Sequence, residues 1–206
     1  MTQDDDTVRD AYGHMAERYI DLFDTIDAVN DVDLALIERH LTACTGPVLD
    51  LGCGPGRLTD HLRTRGVDAI GIDVVPAFVH HARETYPDSR YGLGSIRNLA
   101  APDRSVAGAV AWYSLIHTAP DDLDPMLDEI RRVLAEGAPF VVGFFDADEL
   151  EAFDHKVARA WRWPADEFSA RLAAAGFTEI ERLRHPGTHQ AGKRPHATIA
   201  AKTADA

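Results

Sequence analysis

The run Val48-Leu49-Asp50-Leu51-Gly52-Cys53-Gly54-Pro55-Gly56-Arg57 constrains this chain more than any other segment. Four residues suited to a short buried strand lead directly into three glycines within five positions. Glycine adopts backbone conformations that other residues resist and lets the main chain approach a ligand closely. A helical pattern follows from about Leu58 to Arg65, closed by Gly66, so the turn delivers the chain to a helix whose first N–H groups are free. A strand, a glycine turn and a helix in this order belong to a parallel sheet covered by helices.

The rest of the chain repeats the alternation. Leu34, Ile37 and Leu41 form one helical stripe, and Gly46-Pro47 breaks the chain before Val48. Ala69–Ile72 is a second strand ending at Asp73. Pro76 suits the first turn of a helix running to about Thr85, where Tyr86-Pro87 ends it. Val106–Tyr113 and Phe140–Phe145 are buried strands, separated by a helix over Leu123–Leu134 with Met126, Leu127, Ile130, Val133 and Leu134 at helical spacing. Glu167–Ala175 is helical and is capped by Gly176, and Phe177–Leu183 can pair with Ala197–Lys202 as a late antiparallel hairpin. The expected fold is α/β: a Rossmann-like, doubly wound, mostly parallel seven-stranded sheet with a C-terminal antiparallel hairpin. In such sheets ligands gather beyond the carboxyl ends of the strands, near the point where the winding reverses.

With 206 residues, 45% of them apolar, the chain suits one domain with a sizeable core. We divide it into an N-terminal helical cover (1–45), a core that holds the glycine turn (46–146) and a second cover with the hairpin (147–206). A formal charge of −13 argues against nucleic acid as a partner, because phosphate binding draws on Lys and Arg. The acidic start MTQDDDTVRD lacks the features of a signal peptide, and no apolar run approaches a membrane span. Two cysteines, Cys44 and Cys53, make no disulfide framework and point to a reducing cytoplasm. A monomer or homodimer is expected.

The run from Val48 resembles the first motif of class I S-adenosylmethionine-dependent methyltransferases, a hydrophobic-Asp-hydrophobic-Gly-x-Gly-x-Gly pattern. The similarity extends from about Tyr12 to Lys202. The helix Leu127-Asp128-Glu129-Ile130-Arg131-Arg132-Val133-Leu134 is similar to the family's helix after its fourth strand, with Glu136-Gly137-Ala138 where Pro-Gly-Gly is usual. The resemblance implies S-adenosylmethionine as cofactor, with S-adenosylhomocysteine as its product. It implies that Asp50 anchors the loop and the amino end of the methionine moiety, that Gly52 and Gly54 line the cofactor, and that Asp73 binds the ribose hydroxyls with Val74 against adenine. Ser95 and Ile96 stand where the family often has an acid and an apolar residue, so Ser95 could replace the adenine contact only weakly. Trp112 and Tyr113 would border the cofactor near its methyl group. Tyr12 to Tyr19 is similar to an entry helix that folds over the cofactor, with both tyrosines in contact.

Methyl transfer is an in-line displacement, so alignment does much of the work and an aliphatic hydroxyl also needs a base. His155 and His117 are the leading bases, since neutral imidazole titrates in the useful range. Asp146, at a strand end, is a third catalytic candidate. Trp161 and Trp163, in the segment after Phe145, offer faces for a sugar or aromatic acceptor, and His14 on the entry helix is a further acceptor contact. The Asn/Asp-Pro-Pro-Tyr/Phe signature of enzymes acting on base amino groups is absent from Ala111–His117. No clean metal motif is present; a magnesium ion using Asp146 and neighbouring acids, or a pair from His185 and His189, are the options weighed. The reading is an O-methyltransferase of a small hydroxylated metabolite, a sugar or natural product. The alternatives are an N- or S-methyltransferase, a non-catalytic cofactor-binding protein, and a nicotinamide-binding dehydrogenase. The last needs Gly-x-Gly-x-x-Gly, and Arg57 occupies its third glycine.

Overall fold

The computed structural model describes residues 3–23, 25–187 and 194–204. Its centre is β1 (Val48–Leu51), flanked in parallel by β2 (Ala69–Asp73) and β4 (Gly108–Trp112). Short β3 (Arg90–Leu93) lies beyond β2, and β5 (Pro139–Asp146) beyond β4, both parallel. Two antiparallel strands finish the sheet. β9 (His196–Thr203) pairs along β5 from Pro139 to Phe145, and β8 (Phe177–His185) pairs with β9. The path β3-β2-β1-β4-β5-β9-β8 holds the seven expected strands of a sheet that counts nine among the described residues, and its winding reverses between β1 and β4.

Successive strand residues point to opposite faces, and both faces are covered. Leu49, Leu51, Ala109, Ala111, Phe140 and Val142 belong to one core, with Leu123, Leu127 and Ile130 of α6 (Pro120–Val133) and Phe168 and Leu172 of α7 (Ala165–Ala174). Val48, Val110 and Val141 belong to another, with Leu36, Ile37 and Leu41 of α3 (Asp31–Leu41) and Leu58 and Leu62 of α4 (Arg57–Thr64). Burial on both faces is why these strands are apolar runs rather than alternating ones. Asn30 caps α3 by accepting the Val32 N–H, and Pro76 occupies the first turn of α5 (Pro76–Thr85).

Two features depart from the expected elements. The entry segment is two helices, α1 (Gln3–His14) and α2 (Ala16–Phe23), interrupted at Met15, two residues after the weak helix former Gly13. The segment after β5 is a β-hairpin, β6 (Glu151–Asp154) and β7 (Arg159–Trp163). β7 joins β5 in parallel only at Phe145 and Asp146, past Trp112↔Gly143, the last β4–β5 pair. The hairpin therefore stands at the carboxyl ends of the central strands.

Trp163 anchors that hairpin. It is 1% exposed and meets Phe168 edge-on at 5.7 Å, so its indole is core rather than an open face for an acceptor. Trp163→Ala should cost about 3–5 kcal/mol, the usual penalty for emptying a buried aromatic site. Urea unfolding of the variant measures this; a loss below about 1 kcal/mol would mean the hairpin is held by something else.

Candidate active site

The glycine turn leaves β1 through left-handed backbone at Gly52 (φ 72°), Gly54 (54°) and Gly56 (97°). At Gly52 a side chain is also excluded by space, since a Cβ would come within 2.3 Å of the Ser114 Cβ. The turn is tied to β2, as the Gly52 and Cys53 N–H groups donate to the Ile72 carbonyl. Asp73 completes the connection. Its Oδ2 accepts the Gly54 N–H and its Oδ1 the Val75 N–H, both at 2.8 Å. Burial pushes its carboxyl up to about 6, against those backbone donors, which favour the charged form.

Beyond the turn an open cleft lies at the ends of β1, β2 and β4, the place where sheets of this kind gather ligands. Of the residues singled out from sequence, Tyr12, Tyr19, Gly52, Gly54, Asp73, Val74, Ile96, Trp112, Tyr113 and His117 line it. The tyrosines come from α1 and α2 and pack on Phe78 of α5, Tyr12 at 5.9 Å and Tyr19 at 5.2 Å. Trp112 lies over Gly143, where a Cβ would strike its ring at 2.6 Å. Tyr113 sits at φ 56°, a left-handed conformation that is costly for a residue with a side chain.

His117 is held on both ring nitrogens. Its Nδ1 lies 2.8 Å from the Arg159 carbonyl, which only accepts, so Nδ1 carries the proton. Nε2 is then an acceptor, and the Tyr12 hydroxyl donates to it at 2.9 Å. Burial holds the His117 pKa below its ordinary value and pushes the Tyr12 hydroxyl up, so at neutral pH the imidazole is neutral and the phenol protonated. The cleft thus contains a proton acceptor of fixed tautomer.

The remaining sequence candidates lie elsewhere. Asp50 is 1% exposed beneath the turn, accepts the Thr59 hydroxyl at 2.7 Å and is pushed up to about 6 by burial. It braces α4 and does not open into the cleft. Ser95 folds back to accept the Arg97 N–H. Asp146 is 6% exposed and paired with Arg184 at 2.8 Å. His155 follows β6 with its ring 5.4 Å from that of His117, away from the cleft lining. Burial, with His117, Arg194 and Lys156, pushes its pKa down to about 4. Trp161 is partly buried against the core, and the exposed His14 turns back on the Asp10 carbonyl of its own helix. Lining residues that the sequence did not flag include Val8, Phe78, Arg97, Thr118 and Met126. Phe78 and Met126 carry the ordinary core signal of helical spacing, which does not distinguish a cleft from a core.

Residues 48–137 match the family model described as a methyltransferase domain. The chain is 27% identical over 169 residues to a ubiquinone biosynthesis O-methyltransferase of Xylella fastidiosa, covering 80% of this chain and 61% of that protein. It is 32% identical over 145 residues to a trans-aconitate 2-methyltransferase of Methylobacterium nodulans, covering 68% of this chain and 53% of that protein. It therefore spans a little over half the length of these relatives. Among solved structures, the 1,6-didemethyltoxoflavin-N1-methyltransferase of Burkholderia thailandensis, with bound 1,6-didemethyltoxoflavin and S-adenosylhomocysteine, superposes with a TM-score of 0.80. The match covers 97% of this chain and 88% of that one at 22% identity, a likeness of fold. Among the described residues no helix is long and apolar enough to cross a membrane. The glycine turn, the sheet order and the match over residues 48–137 make this chain similar to methyltransferases, on a fold shared with the S-adenosylhomocysteine-bound structure.

Proposed function

We propose that this protein transfers the methyl group of S-adenosylmethionine to a hydroxyl of a small metabolite, of the sugar or natural-product class, and that His117 is the base. The observation that carries the reading is the cleft with the glycine turn on one wall and a neutral, tautomer-fixed imidazole on another. Gly52 and Gly54 would pass along the cofactor's methionine arm. Asp73 would accept the ribose hydroxyls, and Val74 and Ile96 would pack on adenine. Asp50 would act from below by holding α4 against the turn. Tyr12 and Tyr19 would close over the ligand, and Trp112 is the indole at hand for an acceptor. A relative named as an O-methyltransferase supports this choice, while the solved N1-methyltransferase shows that this fold also serves nitrogen.

S-adenosylmethionine, when bound, would supply a sulfonium methyl for in-line attack by the acceptor oxygen, an O–C bond forming as the C–S bond breaks and sulfur becoming neutral. The hydroxyl proton passes to His117 Nε2, directly or through Tyr12. The Arg159 carbonyl stabilises the imidazolium that results. Asp146, committed to Arg184, and His155, behind His117, fit the part less well.

Calorimetry should show S-adenosylmethionine and S-adenosylhomocysteine binding, and each should raise the melting temperature by mass action. Binding of neither would remove the basis of the reading. Asp73→Ala should weaken S-adenosylhomocysteine binding by roughly ten- to a hundredfold, the worth of a hydrogen bond to a charged group.

The same contact predicts a pH dependence. Ribose hydroxyls favour the ionised carboxylate, which is present above a pKa of about 6 and lost below it. Affinity should therefore hold above pH 7 and fall between pH 6 and 5, by up to about tenfold per unit. An affinity flat from pH 5 to 8 would separate Asp73 from the ribose.

His117→Ala should lower turnover by about 10²–10⁴-fold with cofactor affinity nearly unchanged, whereas His155→Ala should cost far less. Steady-state kinetics with an identified acceptor decides between them. Full activity in His117→Ala would favour an amine or thiol acceptor that needs no base.

A further inference from the structure

A second polar cluster lies where the start of α3 meets the end of the β8–β9 hairpin at which β8 finishes and β9 begins. Asp33 is fully buried there. His185 Nε2 is 3.1 Å from its Oδ1, His196 Nε2 is 3.2 Å from its Oδ2, and the Thr198 hydroxyl donates to Oδ1 at 2.7 Å. The two imidazoles stack with centroids 4.4 Å apart. One potential ligand atom from each of the three residues lies within 4.8 Å of the others. His189, weighed from sequence as a partner of His185, falls outside the described residues.

The protons decide what this cluster asks for. His196 Nδ1 faces the Arg194 carbonyl at 3.2 Å, and a carbonyl only accepts, so that nitrogen carries a proton. In the neutral ring Nε2 then presents a lone pair, and it presents it to a carboxylate oxygen. Two acceptors at this distance, buried together, need a cation between them: a proton on Nε2 or a metal ion. A carbonyl on the far nitrogen is also the arrangement that aims a metal-ligating histidine, and the Thr198 hydroxyl orients the carboxylate in the same way. The ligand atoms of the three residues lie within 4.8 Å of one another, a span that an ion with bonds of about 2.0–2.1 Å would close by small side-chain shifts.

We propose that Asp33, His185 and His196 bind one divalent transition-metal cation of the zinc type, with a remaining position for water or another ligand. Two imidazoles with one carboxylate suit such an ion better than magnesium or calcium, which take oxygen ligands. The ion would join α3 to both strands of the terminal hairpin. It would also sit beside the cleft, since the Tyr113 ring is 6.3 Å from that of His196. The site does not depend on the methyl acceptor or on the choice of base.

The test uses the full-length protein stripped of metal by a chelator, then titrated with Zn²⁺ by calorimetry and with Co²⁺ by visible absorption. One Zn²⁺ should bind per chain, with a rise in melting temperature, and Co²⁺ should give the d–d bands of a four- or five-coordinate site. His185→Ala and His196→Ala should each weaken binding by at least about a hundredfold, while His80→Ala, on the exposed face of α5, should not. Absence of a stoichiometric ion in the wild-type protein would overturn the proposal whatever the variants do, leaving an imidazolium–carboxylate cluster. Undiminished binding in both folded histidine variants would overturn it equally, by placing the ion elsewhere.

Discussion

The carboxylate of Asp73 is the junction on which the cleft depends. It ends β2, takes one N–H from the glycine turn after β1 and another from the start of α5, and so fixes three elements around one buried charge. Burying a carboxylate is costly, and the backbone donors offset only part of the cost. The glycines follow from this junction. Gly54, whose N–H meets Asp73, turns left-handed, and Gly52 does so with Ser114 against it. Gly71 on β2 has the same logic one layer down: a Cβ there would press on Thr59, Tyr91 and Cys53, which fill the space under the turn.

That junction was legible because its requirements are local. Left-handed backbone demands glycine, a strand end demands a stop to apolar burial, and both leave a pattern within a few residues. The central strands were legible for a related reason: β1 and β4 are buried on both faces and so, apart from Asp50, are written as apolar runs. β3 was not, because only Tyr91 in it is buried and no periodicity marks it. Nor was the β6–β7 hairpin. Glu151–Asp154 is mostly exposed, so its residues record solvent rather than a sheet, and Phe153 and His155 look as much like a helix or loop as a strand.

The histidines show the limit more sharply. Residue type identified His117 and His155 equally as bases, and nothing in the sequence ranked them. What separates them is a backbone carbonyl from a distant strand, which gives His117 a fixed tautomer facing the cleft, while His155 has a buried Nδ1 without a partner among the described residues. His196 is set by a carbonyl too, that of Arg194. Main-chain acceptors have no sequence signature, so side-chain chemistry could nominate these residues and only the fold could assign their protons.

The hairpin after β5 ties these points together. Arg159, whose carbonyl orients His117, is the first residue of β7, and the Trp161 N–H two residues on donates to the Ile116 carbonyl beside that histidine. β7 holds this position because its last residue, Trp163, is sunk in the core against Phe168. The indoles taken from sequence as faces for an acceptor instead lie in the strand that aims the base. An insertion at the carboxyl ends of the strands can thus shape the chemistry without touching a ligand, through one main-chain oxygen whose place is set by aromatic packing four residues away. Under this arrangement loosening the packing would first be felt as a loss of imidazole orientation, before any loss of the cofactor's own contacts on β1 and β2.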